Sequence, residues 1–212
     1  MRKFILLVML VWFVAFVSGA ASGALKTGIE KYTVHITSIS PFGMASCSGT
    51  VITNTDKYSE VLTCKHCIAS DRETIIEGNK VVKIITSSGE DLAIFIVEGK
   101  FKGKEVPKFA IKNEEINKTI YMFGRPGFVA KYLKKGKIAA YTSEWGWAKL
   151  EVNPGCSGSG LFNEKDELIG VVWGAYTEAS TGGGFFTEPI GGTKMGIFTP
   201  LDKVQKFLKK VK

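Results

Sequence analysis

A serine between closely spaced glycines is the strongest chemical signal in the chain. It lies in NPGCSGSGLFN, Asn153 to Asn163, where Ser157 precedes an apolar segment. Glycines let the backbone fold sharply, so this pattern predicts a tight turn that exposes a nucleophilic hydroxyl and points backbone N–H groups inward. The N–H groups of Gly155 and Ser157 are then candidates for an oxyanion hole. Taken alone the turn is weak evidence, because most Gly-Ser-Gly turns have no catalytic role.

A serine hydroxyl needs a base to become a good nucleophile, and the chain holds two histidines. His35 lies in the alternating segment YTVHIT and is predicted to be an ordinary strand residue. His66 follows the predicted strand EVLT and begins a loop, so its ring can face a cleft as a general base. The third member should be a buried carboxylate that fixes the imidazole tautomer. Of five aspartates, only Asp91 immediately precedes a buried-looking strand, LAIFIV. The sequence therefore predicts a triad of His66, Asp91 and Ser157.

His66 also lies inside a C-x-x-C pair, Cys64 and Cys67, which has two other interpretations. A thiol-disulfide oxidoreductase normally opens a helix at this motif, whereas the residues that follow here lead back into strands. A metal site is weaker still, because no second C-x-x-C completes a ligand set. We therefore predict no metal and no cofactor. With Cys47 and Cys156 the chain has four cysteines, which allow three full pairings that spacing alone does not distinguish.

The elements that must position these residues are mostly short strands. From Tyr32 onward, β-branched and aromatic segments recur about every ten residues between Gly, Asn, Asp and Ser turns, which predicts an all-β sandwich or barrel. The charged segment Gly99 to Asn117 is predicted to connect two β halves. One helix is predicted at the C-terminus, where Thr199 caps it, Pro200 suits its first turn and an apolar stripe packs against the barrel.

In order along the chain, these segments resemble a chymotrypsin-like (trypsin-like) serine protease, with a spacing similar to the Deg or high-temperature-requirement type. CSGTVI and VLTCKHC resemble the histidine box, DLAIFIV the aspartate box, NPGCSGSGLFNEKDELIGVVWGA the serine box, and MGIFTPLDKVQKFL the last strand and helix. The resemblance implies an all-β fold of two six-stranded antiparallel β-barrels, with the active site in the crevice between them and a C-terminal helix. It assigns residues 25–112 to the first barrel, 113–200 to the second and 201–212 to the helix.

The resemblance also implies a serine endopeptidase that acts on proteins or peptides through an acyl-enzyme on Ser157. It implies a disulfide between Cys47 and Cys67. Cys64 and Cys156 are left either as a second disulfide or as two buried thiols. Cys156 replaces the aspartate that precedes the nucleophile in digestive members. The alternative function is a catalytically inactive binding module on the same fold.

The substrate pocket implied by alignment contains Trp173, Gly174 and Gly196, and the two glycines leave room for a long side chain. Glu151, six residues before the nucleophile, falls where trypsin has its pocket aspartate, and a carboxylate there would favour Lys or Arg in the substrate. The other interpretation places Glu151 on a strand facing solvent. Glutamate specificity is disfavoured because no histidine remains to line the pocket. Val172 takes the place of a serine common before the Trp-Gly pair.

The first 24 residues have the pattern of a signal peptide. Met1-Arg2-Lys3 is basic, Phe4 to Val17 is apolar, and Ser18 to Ala24 offers small residues for cleavage. The protein is therefore expected to be secreted or periplasmic. The alternative is a membrane anchor over residues 4–21, which is the only route by which a membrane partner is predicted. The net charge of +8 reflects lysine runs without interleaved aromatic residues, so no nucleic-acid partner is predicted.

Overall fold

The structure, a computed structural model, describes residues 28–41, 43–68, 72–126, 131–177 and 194–211. The predicted signal segment lies outside the described residues. The strands are β1 (Thr33–Ser40), β2 (Gly43–Asn54), β3 (Tyr58–Thr63), β4 (Glu73–Ile76), β5 (Asn79–Thr86), β6 (Ala93–Glu98), β7 (Thr119–Gly124), β8 (Tyr132–Tyr141), β9 (Gly146–Lys149), β10 (Gly160–Phe162), β11 (Leu168–Thr177) and β12 (Lys194–Pro200). The described helices are two short 3₁₀ helices, Ile29–Tyr32 and Lys65–Cys67, and the α-helix α1 (Leu201–Val211).

The twelve strands form two closed barrels of six strands each. The first has the order β1-β2-β3-β6-β5-β4 and the second the order β10-β11-β12-β9-β8-β7, with antiparallel neighbours throughout. Closure removes exposed sheet edges, which is how short β-branched strands such as AIFIVE in β6 become stable. The predicted fold class is confirmed. Residues 99–118 join the two barrels, where the sequence predicts a connection.

Each barrel has its own apolar core, and a third cluster joins them. The first barrel is filled around Phe95 and the second around Phe198, both fully buried. The third cluster combines Leu62 and Cys64 of the first barrel with Phe162 of the second. Fully burying such a side chain contributes about 1.5–3 kcal/mol, so the shared cluster fixes one barrel against the other.

Helix α1 packs its apolar face on β11 and β12, with Leu201, Val204 and Phe207 buried. The prediction that Thr199 caps this helix is wrong, because Thr199 is a buried residue of β12 and its hydroxyl has no hydrogen-bond partner in the described part of the chain. Asn113 of the connecting segment instead accepts a hydrogen bond from the backbone N–H of Asp202 at 3.2 Å. Among the described residues, no helix has the length and apolar character to cross a membrane.

Candidate active site

The ends of two paired strands bring His66 and Asp91 together. Thr63, the last residue of β3, pairs with Ala93, the first of β6. The 3₁₀ helix that holds His66 follows β3 by one residue, and Asp91 precedes β6 by one residue. The Nδ1 atom of His66 lies 2.5 Å from Oδ2 of Asp91, and the backbone N–H of His66 donates to Oδ1 of Asp91 at 2.9 Å. Two contacts from one carboxylate fix both the ring and the turn that carries it.

The surroundings of the Asp91 carboxylate favour its ionised form. Burial opposes ionisation, but the hydrogen bond and charge of the His66 side chain and the N–H groups of His66 and Lys65 outweigh it. The pKa of Asp91 is therefore held below its usual 3.8. The Asp91 side chain is 16% exposed, whereas that of His66 is 44% exposed.

Beside this pair, a disulfide joins Cys67 of the 3₁₀ helix to Cys47 of β2, as the family resemblance implies. Cys64 and Cys156 are free and buried, so of the two alternatives the structure has two thiols. The Cys64 thiol donates to the carbonyl of Val172 at 3.1 Å. Burial and the charge of Asp91 raise the pKa of Cys64, and burial raises the pKa of Cys156 to about 11.

Ser157 lies in the turn between β9 and β10, where the glycines have the conformations that the sequence pattern requires. Gly155 has φ +93° and Gly158 has φ +85°, in the left-handed region that favours glycine. A Cβ on Gly158 would lie 2.1 Å from both Ser48 O and Thr63 Oγ1, so the turn also packs too closely against the first barrel for a side chain there. We call the segment from Gly155 to Gly158 the nucleophile turn, after Ser157, the candidate nucleophile that it carries.

Ser48 of β2 holds the nucleophile turn from the opposite barrel. Its backbone N–H donates to the carbonyl of Ser157 at 2.8 Å, and its hydroxyl donates to the carbonyl of Gly155 at 2.8 Å. The same hydroxyl accepts from the N–H of Arg125 at 2.9 Å, and the Ser48 carbonyl accepts from Thr63 Oγ1 at 2.8 Å. Every polar atom of this fully buried serine is therefore satisfied while it fixes the turn.

The Ser157 hydroxyl makes its hydrogen bond to the backbone of β11. It donates to the carbonyl of Trp173 at 3.3 Å, and the Trp173 ring stands edge-on to the His66 ring with 6.4 Å between centroids. The sulfur of Cys67 lies 3.8 Å from the Ser157 carbonyl. In the described part of the chain, the N–H groups of Gly155 and Ser157 have no hydrogen-bond acceptor, so they are available to a ligand.

The residues expected to line the substrate pocket differ in the space and the contacts around them. A Cβ on Gly174 would meet nothing within 4 Å, whereas one on Gly196 would lie 3.0 Å from Val152 Cγ2, so Gly174 borders open space and Gly196 is packed. The Glu151 carboxylate forms an ion pair with Lys134, with Nζ to Oε2 at 2.6 Å. Trp173 is covered by Trp145, which stacks on it at 5.2 Å between centroids.

The comparisons with known proteins assign the family. Residues 47–171, more than half of the 212-residue chain, match the family described as trypsin-like peptidase domain. The chain belongs to the trypsin-like peptidase family. The match includes His66, Asp91 and Ser157 within its limits. The predicted enzyme class, a serine-type endopeptidase, is that of the family.

Relatives and similar folds agree with this assignment. Glutamyl endopeptidase of Staphylococcus aureus (strain MW2) is 32% identical over 124 residues, which are 53% of this chain and 38% of that protein. The chain thus spans well under half of the curated relative. The active form of the M. tuberculosis protease Rv3671c has a similar fold, with a TM-score of 0.67, 19% identity, and coverage of 86% of this chain and 81% of the other. A serine endoprotease from Yersinia pestis matches with a TM-score of 0.65, 20% identity, and coverage of 88% and 67%.

Three residues of the site were not singled out from the sequence. They are Ser48, which holds the nucleophile turn, Lys134, which pairs with Glu151, and Trp145, which stacks on Trp173. Ser48 directly follows Cys47 in the CSGT segment, so its place in the histidine box was a usable signal. Lys134 and Trp145 gave no such signal, because each contact depends on how β8 and β9 close the second barrel. His35 lies on β1 as expected, with Nε2 2.8 Å from Ser46 Oγ.

Proposed function

We propose that the protein is an exported serine endopeptidase that cleaves proteins or peptides through Ser157, His66 and Asp91. The observation that carries the proposal is the 2.5 Å contact between His66 Nδ1 and Asp91 Oδ2. That contact fixes the ring so that Nδ1–H donates to the carboxylate and Nε2 is left as the base. The hydrogen bonds from Ser48 to the carbonyls of Ser157 and Gly155, which tie the nucleophile turn to the first barrel, also support the proposal.

In the proposed reaction, His66 Nε2 takes the proton of Ser157 as its Oγ attacks the carbonyl carbon of the scissile peptide. Asp91 stabilises the imidazolium that forms. His66 then gives the proton to the leaving amine, and the acyl group remains on Ser157. A water molecule, deprotonated by His66, attacks the acyl-enzyme and releases the second product. No metal or cofactor takes part in these steps.

The tetrahedral intermediate carries a negative oxygen, and we propose that the N–H groups of Gly155 and Ser157 bind it. Both groups are free of other acceptors in the described part of the chain. The Gly155 conformation at φ +93° and the hydrogen bond from Ser48 to the Gly155 carbonyl support this assignment, because they restrain the peptide groups of the turn. Donors that are already oriented need no reorganisation when the charge develops.

The hydrogen bond from Ser157 Oγ to the Trp173 carbonyl describes the free protein. Catalytic hydrogen bonds are often long or misaligned without substrate and tighten only in the complex. We propose that rotation of the Ser157 side chain directs its hydroxyl to His66 when a peptide occupies the cleft. Failure of this rotation is the state expected of the alternative, an inactive binding module on the same fold.

For specificity, we propose that Gly174 borders the cleft and that the pair of Glu151 and Lys134 sets its charge. Lys134 neutralises Glu151 in the free protein, so the attraction for a basic substrate side chain is weakened. The Staphylococcus aureus relative named above is a glutamyl endopeptidase. For this chain glutamate preference remains disfavoured, because His35 lies on β1 of the first barrel and leaves no histidine for the pocket.

Export is proposed from the N-terminal pattern and from the cysteine chemistry. The disulfide between Cys47 and Cys67 is of the kind that persists in oxidising compartments such as the periplasm or the extracellular space. Detection of the mature N-terminus after secretion would locate the cleavage site predicted between Ser18 and Ala24.

The proposal is tested by incubating the purified protein with an unfolded protein substrate and identifying new N-termini by mass spectrometry. We expect the parent to generate them and Ser157→Ala to generate none. Ser159→Ala is the matched control, because the buried Ser159 hydroxyl has no partner in the described part of the chain and its loss should leave cleavage intact. No cleavage by the folded parent, or equal cleavage by Ser157→Ala, would overturn the proposal.

A further inference from the structure

Three side chains with metal-ligating atoms lie close together: Cys64, His66 and Asp91. The Cys64 sulfur, a ring nitrogen of His66 and a carboxylate oxygen of Asp91 all lie within 4.8 Å of one another. This set could not be predicted from the sequence, because only the pairing of β3 with β6 brings Asp91 beside the C-x-x-C segment. We propose that Cys64, His66 and Asp91 form an inhibitory binding site for Zn²⁺ or another thiophilic divalent cation. The inhibitory part rests on the proposed peptidase function.

The donor set fits this chemistry. Thiolate, imidazole and carboxylate are the ligands that Zn²⁺ takes, and three protein ligands with one water is the arrangement of an open zinc site. Bond lengths of about 2.0–2.3 Å place tetrahedral ligands about 3.5 Å apart. The contact between His66 Nδ1 and Asp91 Oδ2, now 2.5 Å, must therefore open, while Cys64 must turn from Val172 toward the ion.

Access is available from solvent, because the His66 side chain is 44% exposed and that of Asp91 is 16% exposed. Cys64 is fully buried, with the Val172 carbonyl as its hydrogen-bond acceptor. A cation entering beside the imidazole would thus find a nitrogen and an oxygen near solvent and a sulfur at the base of the site. His66 and Asp91 alone supply two ligands, and Cys64 supplies the third.

The proton balance explains why occupancy would inhibit. The ion takes the Cys64 thiolate, the Asp91 carboxylate and the Nδ1 lone pair of His66. The proton of the Cys64 thiol is released to solvent, and the proton of Nδ1 moves to Nε2. His66 then carries its proton on the nitrogen that must accept one from Ser157, so the general base is lost. Removal of the ion by a chelator reverses each step.

The binding test uses Cd²⁺ as a spectroscopic probe and does not depend on activity. Full-length Ser157→Ala protein is titrated with Cd²⁺, and the ultraviolet charge-transfer band of a cadmium thiolate is followed. We expect a saturable band with one equivalent that is lost in the Cys64→Ser, Ser157→Ala double variant. Cys156→Ser in the same background is the matched control, because Cys156 is also a buried free thiol but lies outside this cluster. The control should keep the band.

The functional test measures Zn²⁺ inhibition of peptide hydrolysis and its reversal by EDTA. We expect Cys64→Ser to raise the zinc concentration for half-inhibition by at least about tenfold, the lower end of what loss of even an outer-shell partner costs. The inhibition of each variant is expressed relative to its own activity without metal. A cadmium band that persists without Cys64, or no band in any variant, would overturn the site. Binding without inhibition of an active enzyme would overturn the inhibitory role, and an inactive parent would refute the peptidase proposal while the band still reports the site.

Discussion

Removal of the Ser48 hydroxyl should damage catalysis although Ser48 touches no reacting atom. The hydroxyl donates to the Gly155 carbonyl at 2.8 Å and accepts from the Arg125 N–H at 2.9 Å. Ser48→Ala leaves both backbone groups without this partner, and an unsatisfied buried group costs about 1–3 kcal/mol. The free energy of unfolding should therefore fall by about 2–4 kcal/mol, below the sum of two maximal penalties because Arg125 is only partly buried and can bind water.

The catalytic effect follows from the position of the Gly155 carbonyl in the nucleophile turn. Once released, the turn can move the Gly155 N–H out of line with the oxyanion. Loss of one oxyanion-hole donor costs about 10²–10³ in kcat, so partial loss of alignment should lower kcat by about 10- to 100-fold with a small change in KM. The affinity for a peptide aldehyde, whose adduct presents an oxyanion, should fall in parallel with kcat.

The matched control is Ser59→Ala. Ser59 is also fully buried, and its hydroxyl lies 2.7 Å from both Asn54 Oδ1 and the Gly99 carbonyl, away from the nucleophile turn. It should lose comparable stability, measured by urea unfolding, and keep the parent kcat at temperatures where both variants are folded. If kcat of folded Ser48→Ala falls no further than that of Ser59→Ala, the Ser48 hydroxyl does not position the nucleophile turn.

Further predictions concern the triad, the disulfide and the pocket. Asp91→Asn should lower kcat by about 10⁴-fold, since an amide favours the wrong imidazole tautomer; steady-state kinetics with unchanged KM would agree, and near-parent kcat would refute the role of Asp91. Because the pKa of Asp91 is lowered in the folded state, its ionised carboxylate stabilises the fold above pH 3.8, and this stabilisation is lost as the pH falls below that value. The free energy of unfolding, measured in urea, should therefore vary less with pH in the acid range for Asp91→Asn than for the parent, and an identical pH dependence would contradict this. Replacing Cys47 and Cys67 by alanine removes a cross-link between residues 20 apart in sequence and should lower the free energy of unfolding by about 3 kcal/mol. An unchanged midpoint of urea unfolding would contradict this. Lys134→Ala should raise kcat/KM for Lys and Arg substrates over apolar ones, and the added Glu151→Gln should remove that gain; a peptide panel that shows no change would take Glu151 out of the pocket.

The features that could be predicted from the sequence are those that depend on residues close together along the chain. The histidine, aspartate and serine segments each lie next to a strand end, and the family resemblance that they carry implied the disulfide partner and the two barrels. Contacts between distant segments could not be predicted, because they depend on how the two barrels close and meet. The hydrogen bond from Ser48 to Gly155 joins the first barrel to the second, and the ion pair of Lys134 with Glu151 joins β8 to the segment before the nucleophile turn.

The helix cap shows the same limit at smaller scale. Thr199 had the residue type and spacing of a cap, but β12 continues through Pro200, which keeps Thr199 in the sheet. The acceptor for the first turn comes from Asn113, which lies far away along the chain and is brought to the helix by the path of the connecting segment. Local propensity predicted the helix itself, whereas its cap was determined by tertiary structure.

The proposed mechanism depends on activation of the Ser157 hydroxyl by His66. It is tested most directly by labelling the folded protein with a fluorophosphonate probe and mapping the adduct in its peptides. We expect one stoichiometric adduct on Ser157 in the parent and in Ser159→Ala, strongly slowed labelling in His66→Ala and none in Ser157→Ala. An adduct on another residue, or equal labelling rates in the parent and His66→Ala, would contradict it.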